Sequence, residues 1–147
     1  KVASADGSPL VVFLHGFPES WYSWRHQLLA LQNHPILAVA PDVRGYGGTT
    51  QPQSTDDYTQ PVLARDVILM AQQLGYSKFF VVGHDWGAML AWSLSLLYPQ
   101  NILGVFAMSV PYMGLGRKGL LTILQEKYGP CLDSSLPREK VEQANFH

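Results

Sequence analysis

A pentapeptide between an apolar run and a helical segment constrains the fold of this chain more than any other feature. It reads Gly83-His84-Asp85-Trp86-Gly87 and follows the apolar run 79–82. Residues 88–98 continue as a helical stretch. A strand, a tight turn and a helix are therefore expected to meet at Asp85. The flanking glycines permit the close approach that such a turn needs, so the Asp85 side chain projects outward.

Asp85 stands where serine stands in the G-x-S-x-G nucleophile elbow, and the change from serine narrows the chemistry. A carboxylate held in such a turn is a candidate nucleophile for covalent catalysis. If it attacks a saturated carbon, the product is an ester, and water can then cleave that ester at its carbonyl carbon. Serine would form an ether, which water does not readily cleave. Asp85 therefore indicates substrates such as epoxides or alkyl halides.

A plainer interpretation of Asp85 is that it only caps the helix, because Asp is a favoured N-cap residue. The preceding strand and the flanking glycines favour the nucleophile instead. The helix that follows presents free N–H groups and a positive dipole end to Asp85. Both favour an ionised carboxylate near neutral pH.

Strand-like and helix-like segments alternate along the chain, which predicts an α/β fold with a parallel sheet. The predicted strands are 10–14, 36–40, 79–82 and 102–110, and the predicted helices are 21–32, 60–74 and 86–98. A turn-rich loop fills 41–57. We expect residues 1–110 to form the N-terminal part of a hydrolase-like core, and residues 111–147 to begin a helical cap or lid that is incomplete.

Composition excludes several classes of protein. The chain has 147 residues and a formal net charge of −1, so it lacks the basic character of a nucleic-acid binder. Its apolar runs are too short to span a membrane. The single cysteine, Cys131, gives neither a disulfide framework nor a cysteine-based metal cluster. We expect no metal and no cofactor, and a cytoplasmic location; the oligomeric state is left open.

The two ends of the chain suggest a fragment. It begins at Lys1 and reaches its first predicted strand within ten residues, and it ends at His147 inside an apparently helical stretch, 137–147. No glycine or proline stop signal follows that stretch. We therefore expect a chain truncated at both ends.

A second motif, His15-Gly16-Phe17-Pro18-Glu19, follows the first predicted strand directly. Loops beyond the carboxyl ends of the strands build the site in open α/β sheets, so this loop and the elbow should lie together. The elbow fold takes its two oxyanion donors from the residue after the nucleophile and from the loop after an earlier strand. The predicted donors are therefore the backbone N–H groups of Trp86 and Phe17.

Four stretches together resemble the epoxide hydrolases of the α/β-hydrolase superfamily, in register over roughly 9–112. They are His15-Gly16-Phe17-Pro18-Glu19-Ser20-Trp21, Ser23-Trp24-Arg25-His26-Gln27, Asp42-Val43-Arg44-Gly45-Tyr46-Gly47 and Gly83-His84-Asp85-Trp86-Gly87-Ala88. The resemblance implies that Asp85 opens an epoxide and carries the alkyl–enzyme ester, which water hydrolyses to a diol. Trp86, Phe17 and Pro18 would line the substrate pocket. The motif positions His15, Gly16, Gly83, His84 and Gly87 would serve structure.

The family also uses a histidine with an acidic partner to direct water, and two cap tyrosines to protonate the epoxide oxygen. No residue of this chain matches them: Tyr112, Tyr128 and His147 stand at other positions. We therefore expect the chain alone to be inactive beyond the ester. The alternatives are a haloalkane dehalogenase-like hydrolase and a non-catalytic remnant. Phe17 lacks a side-chain donor for a halide, and Trp86 stands where fluoroacetate-type dehalogenases have arginine, so both positions favour the epoxide.

Four further residues carry hypotheses that the sequence leaves open. Arg44 could contact an anionic substrate, although tying down its own glycine-rich loop is the commoner role. Trp21 and Trp24 could wall a ligand pocket, but their helical spacing is equally that of core residues. Pro18 is a candidate for a cis peptide bond, since such bonds occur in tight turns.

Overall fold

The computed structural model of the protein describes residues 7–112. Four strands form one parallel sheet in the order β2-β1-β3-β4. The strands are β1 Leu10–Leu14, β2 Leu37–Val39, β3 Phe79–His84 and β4 Ile102–Met108, and the helices are α1 Arg25–Leu31, α2 Gln60–Gln73 and α3 Trp86–Leu97. The predicted α/β fold with a parallel sheet is confirmed. The predicted cap segment lies outside the described residues except for 111 and 112, and Cys131, Tyr128 and His147 lie outside them too.

The predicted helix 21–32 is in fact two helical pieces. A 3-10 turn covers Trp21–Trp24, and α1 begins only at Arg25. The Ser20 side chain accepts a hydrogen bond from the Tyr22 N–H and so starts the tighter turn. A second 3-10 turn, Thr55–Tyr58, lies at the end of the segment predicted as loop. Such short turns have no apolar period of their own, which is why the pattern missed both.

The core is built on the two central strands, β1 and β3. Alternate residues of β1 join the apolar faces of α2 and α3 in one buried cluster. That cluster contains Leu10, Val12, Leu14, Leu63, Ala64, Val67, Ile68, Ala71, Phe79, Val81, Leu90, Ala91, Leu94 and Leu97. Phe13 points to the opposite face of the sheet, where its ring lies 5.1 Å from that of Trp24. Helical segments therefore cover both faces, as a parallel sheet requires.

The two tryptophans whose roles the sequence left open differ in solvent exposure. Trp24 is buried, whereas Trp21 is 43% exposed. Trp24 is therefore a core residue, and its partner is Phe13. The backbone N–H of Trp21 donates a hydrogen bond of 2.8 Å to the Asp42 carboxylate, which links the loop after β1 to the loop after β2.

Among residues 7–112, the strand β4 lies at the edge of the sheet and carries exposed apolar side chains. Within residues 7–112, β4 pairs on one side only, with β3, and Phe106 is 63% exposed. Because unpaired apolar edges recruit other strands, we expect the chain to self-associate, and Phe106→Lys to shift it toward monomer. Sedimentation velocity over a concentration series would measure this. Leu29→Lys, at a 61% exposed site on α1, is the matched control, and equal effects of both changes would exclude the β4 edge.

Over the described residues, no helix is both long and apolar enough to cross a lipid bilayer.

Candidate active site

The elbow is a strained turn between β3 and α3. Asp85 has φ 54° and ψ −119°, a backbone conformation that side-chain-bearing residues rarely adopt. A Cβ atom on Gly83 would collide with the backbone carbonyl of Gly87, and one on Gly87 would collide with the backbone carbonyl of Leu14. Glycine at both positions therefore lets α3 pack directly against β1 and β3. Strain of this kind persists only where the surrounding structure enforces it, and it concentrates at functional sites.

Asp85 occupies the N-cap position of α3, yet its side chain makes no hydrogen bond that caps the helix. Its Oδ1 atom instead accepts a hydrogen bond of 2.9 Å from the Phe17 N–H. That bond first, and then one from the Trp86 N–H, lowers the pKa of Asp85 from its usual 3.8. Of the two N–H groups predicted as oxyanion donors, the Phe17 N–H therefore donates to the carboxylate of the predicted nucleophile, and the Trp86 N–H contributes to lowering its pKa. The simple helix-cap interpretation of Asp85 is not supported.

The loop after β1 is shaped to reach Asp85. A Cβ atom on Gly16 would lie only 2.7 Å from the Asp85 Cβ atom, so Gly16 allows the loop to approach the nucleophile. The Phe17–Pro18 peptide bond is cis, which confirms the cis bond suggested for Pro18 from the sequence. The Phe17 N–H points toward Asp85, while the Phe17 ring stays 62% exposed.

His15 holds this loop to its neighbour. The side chain is 2% exposed. Its Nδ1 atom lies 2.9 Å from the Gly16 carbonyl oxygen, and its Nε2 atom accepts a hydrogen bond of 3.0 Å from the Val43 N–H. The carbonyl can only accept and the N–H can only donate, so the neutral tautomer protonated on Nδ1 satisfies both contacts. With both ring nitrogens engaged, His15 connects the loops after β1 and β2.

Glu19, the last residue of the second motif, contacts the site, although its pattern in the sequence predicted no role for it. Its Oε2 atom accepts a 2.9 Å hydrogen bond from the Gly16 N–H. The same atom lies 3.5 Å from Nδ1 of His84, the residue before the nucleophile. Glu19 thus braces the loop of one motif against the other. Its spacing of three residues from Gly16 was the available signal, since an acidic side chain at that distance can reach back to a free N–H.

Two aromatic rings stand beside the Asp85 carboxylate. The Phe17 and Trp86 rings lie 6.4 Å apart at an interplanar angle of 46°, and Trp86 is 57% exposed. Pro18 is exposed next to them. The three residues predicted to contact substrate are therefore together at the mouth of the elbow. His84 is half-buried.

Arg44 forms a bidentate ion pair with a helix. Its Nε and Nη2 atoms each donate a 2.7 Å hydrogen bond to the Asp66 carboxylate on α2. The hydrogen bond to Asp66 raises the pKa of Arg44 above its usual value. Of the two roles proposed for Arg44, the structure supports the anchoring of its loop and not the binding of an anionic substrate. Arg44 anchors the loop after β2 to α2, whereas the sequence predicted contacts within the loop itself. Asp66 is 22 residues away and gave no signal in the sequence.

Among residues 7–112, no group of three or more His, Cys, Asp or Glu side chains is arranged to hold a metal ion. What the site does offer is a carboxylate with a lowered pKa and the Phe17 N–H bonded to it, beside exposed aromatic rings.

Comparison with known proteins agrees with this geometry. The sequence profile described as "alpha/beta hydrolase fold" matches residues 9–129. "Epoxide hydrolase 2" of Siraitia grosvenorii is 47% identical over 112 residues, covering 76% of this chain and 35% of the relative. "Epoxide hydrolase B" of Mycobacterium tuberculosis is 48% identical over 112 residues, covering 76% of this chain and 32% of the relative.

Solved structures give the same result. The crystal structure of an epoxide hydrolase from Vigna radiata superposes with a TM-score of 0.71 and 45% sequence identity, covering 83% of this chain and 40% of that one. The chain spans about a third of the length of the curated relatives it matches. The profile match, the parallel sheet and the elbow agree on one assignment: the chain belongs to the α/β-hydrolase fold family.

Proposed function

We propose that the whole protein is an epoxide hydrolase, which converts an epoxide and water to a vicinal diol, and that this chain carries the nucleophilic half of its site. The observation that carries the proposal is the Asp85 carboxylate, held in the strained turn with the Phe17 N–H on its Oδ1 atom. The similarity to two named epoxide hydrolases at 47% and 48% identity supports the same activity. The proposed substrate partners are a small-molecule epoxide and water.

The first step forms a bond between an Asp85 carboxylate oxygen and one ring carbon of the epoxide. The bond between that carbon and the ring oxygen breaks, and the ring oxygen takes a proton from the cap tyrosines that the family resemblance implies for the whole protein. The Phe17 N–H occupies Oδ1, so we expect Oδ2 to attack. The lowered pKa of Asp85 keeps the carboxylate ionised at neutral pH. A free carboxylate is required because only the ionised form is an effective nucleophile.

In the second step water attacks the carboxyl carbon of the Asp85 ester. The negative charge then moves onto the carboxyl oxygen that faces the two backbone donors. The Phe17 N–H already donates to this carboxylate, and a donor that is in place needs no reorganisation to stabilise the oxyanion; the Trp86 N–H is the proposed second donor. Collapse of the intermediate releases the diol and restores the carboxylate. The exposed rings of Phe17 and Trp86, with Pro18, would contact the substrate.

The test is an incubation of the purified chain with a terminal aryl epoxide, followed by intact-mass spectrometry and diol analysis. We expect one substrate mass added per chain, mapped to Asp85, and no sustained diol production, because no residue of this chain matches the base of the family. Continued turnover would refute the stalled reaction. An adduct with an alkyl bromide but not with the epoxide would favour the dehalogenase alternative, and no adduct with either would favour the non-catalytic one.

The rate of adduct formation should depend on pH as the ionised fraction of the Asp85 carboxylate does. Its pKa is lowered from 3.8, so the carboxylate is fully ionised above that value and is lost only as the pH falls through the lowered pKa. We expect a level initial rate from about pH 8 to about pH 5, corrected for the acid-catalysed background with an Asp85→Ala sample. A rate that falls between about pH 7 and about pH 6 would instead indicate a histidine-like group.

A cytoplasmic location and the boundary between core and cap near residue 110 remain predictions from the sequence.

A further inference from the structure

Two residues other than glycine have a positive φ within residues 7–112. They are Asp85, with φ 54°, and Ser109, with φ 70°. Side-chain-bearing residues rarely adopt such angles, because the Cβ atom crowds the backbone and glycine alone escapes that crowding. Strain of this kind concentrates at functional sites. The role of the nucleophile accounts for the strain at Asp85 and leaves the strain at Ser109 without an explanation.

The two strained residues are neighbours across the sheet. The strand β4 ends at Met108, directly before Ser109, and Met108 pairs with His84, directly before Asp85, in the parallel register of β3 and β4. The Asp85 N–H donates a hydrogen bond of 3.2 Å to the Met108 carbonyl oxygen. This carbonyl belongs to the peptide group that leads into Ser109. The backbone of the nucleophile is therefore bonded to the peptide group at which the strained residue begins.

The chain just beyond Ser109 is attached to the helix that begins at the elbow. The Trp92 side chain on α3 donates a hydrogen bond of 3.0 Å from Nε1 to the Val110 carbonyl oxygen. The ring of the same tryptophan meets the Tyr112 ring in an edge-on contact, with the ring centroids 5.1 Å apart. Ser109 therefore joins the end of β4 to a segment that α3 holds in place.

The two attachments together explain the positive φ. The angle φ of Ser109 sets the orientation of the peptide group between Met108 and Ser109 relative to the chain that follows. Because Trp92 holds Val110, a negative φ would turn this peptide group, and the Met108 carbonyl would leave the Asp85 N–H. Strain persists only where the surrounding structure enforces it. Here the enforcing contacts run from β3 and from α3, the two elements that form the elbow.

The Ser109 side chain adds nothing to these attachments. The residue is exposed, and its hydroxyl makes no hydrogen bond with any other residue between 7 and 112. The backbone conformation at this position, and not the hydroxyl, is therefore what connects β4 to the elbow.

We propose that Ser109 is a positioning residue for the reaction at Asp85, because its left-handed backbone holds the Met108 carbonyl on the Asp85 N–H. The inference rests on the proposed function and deepens it, since it adds the end of β4 to the elements that fix the nucleophile. In this role Ser109 acts through Met108 and makes no contact with the substrate.

Substitutions at Ser109 separate the backbone from the hydroxyl. Ser109→Val is the disrupting variant, because a β-branched residue is an outlier at positive φ. Ser109→Gly and Ser109→Asn are the rescuing variants, since both residues accept left-handed angles and neither carries the hydroxyl. We expect Ser109→Val to lower the maximal rate of Asp85 adduct formation about tenfold to a hundredfold, as a displacement of about 1 Å does. The rescuing variants should react within about twofold of the unmodified chain.

The rate is measured by intact mass as a function of epoxide concentration, and it is expressed per folded chain from circular dichroism. A positioning role lowers the maximal rate and leaves the half-saturating concentration unchanged, whereas a merely structural role lowers only Tm. Ser77→Val is the matched control, because Ser77 is an exposed serine without a positive φ. An unchanged rate in Ser109→Val would overturn the proposal. An equal loss in Ser109→Gly, Ser109→Asn and Ser109→Val would overturn it too.

Trp92→Phe tests the same connection from the other side, and it replaces Ser109→Val if that variant does not fold. It removes the Nε1 donor to Val110 and keeps an aromatic ring beside Tyr112. The segment after Ser109 is then released, so we expect the maximal rate to fall in the same direction, with the half-saturating concentration again unchanged. A Trp92→Phe chain that reacts like the unmodified chain would contradict the proposed enforcement of the strain.

Amide hydrogen exchange separates this proposal from the proposed function, because it needs no chemistry at Asp85. We expect the Asp85 N–H to exchange at least about tenfold faster in Ser109→Val and in Trp92→Phe, while the Val81 N–H within β3 keeps its protection. If no chain forms an adduct but the exchange follows this pattern, the proposed function fails and the positioning role stands. If adducts form but Asp85 exchange is unchanged in both variants, the proposed function stands and the positioning role is refuted.

Discussion

Asp85→Asn is expected to lower the rate of covalent adduct formation by at least about a thousandfold, to the level of the uncatalysed reaction with solvent. The amide has nearly the volume of the carboxylate, and asparagine tolerates unusual backbone angles better than most residues. The substitution should therefore leave the elbow in place, with φ 54° at this position, while removing the nucleophile. Asp85→Ala should give the same loss.

The measurement is the intact mass of the chain after timed exposure to the epoxide, with peptide mapping of any adduct. Asp56→Asn is the matched control, because Asp56 is an exposed carboxylate in the 3-10 turn before α2. It should react like the unmodified chain. Adduct formation that persists in both Asp85 variants would remove Asp85 from the mechanism, and mapping would then identify the residue that reacts.

Gly87→Ala is expected to destabilise the fold by about 3 kcal/mol or more, because overpacking in a core without mobile neighbours is costly. The added Cβ atom would meet the backbone carbonyl of Leu14 and would lie 2.7 Å from the His15 carbonyl oxygen. Both obstacles are main-chain atoms, one of them in β1, so no side chain can rotate away. The helix α3 would have to move off the sheet at the point where the nucleophile is held.

Urea denaturation followed by far-UV circular dichroism would measure the loss, and a fall in Tm of about 10 °C or more should accompany it. Gly48→Ala is the matched control, since an added Cβ atom there meets nothing within 4 Å. A Gly87→Ala chain as stable as the Gly48→Ala chain would show that α3 does not pack against β1 as described.

Local patterns in the sequence predicted most of the secondary structure. Continuous apolar runs gave β1 with the observed bounds and the other three strands within two residues at each end. The elbow between β3 and α3 was predicted because glycines and a strand-to-helix change are adjacent in the chain. Such patterns do not predict which of two similarly spaced residues is buried. Trp21 and Trp24 both fit the helical spacing, yet only Trp24 is buried.

The sequence by itself therefore determined the α/β class, the elbow and the identity of its central carboxylate, because each depends on residues that are neighbours along the chain. The tertiary structure decided which distant groups meet. The ion pair of Arg44 with Asp66 joins residues 22 positions apart, and the Phe17 N–H reaches Asp85 across 68 positions. Contacts of this kind have no periodic signal, since they depend on how the elements pack rather than on which elements form.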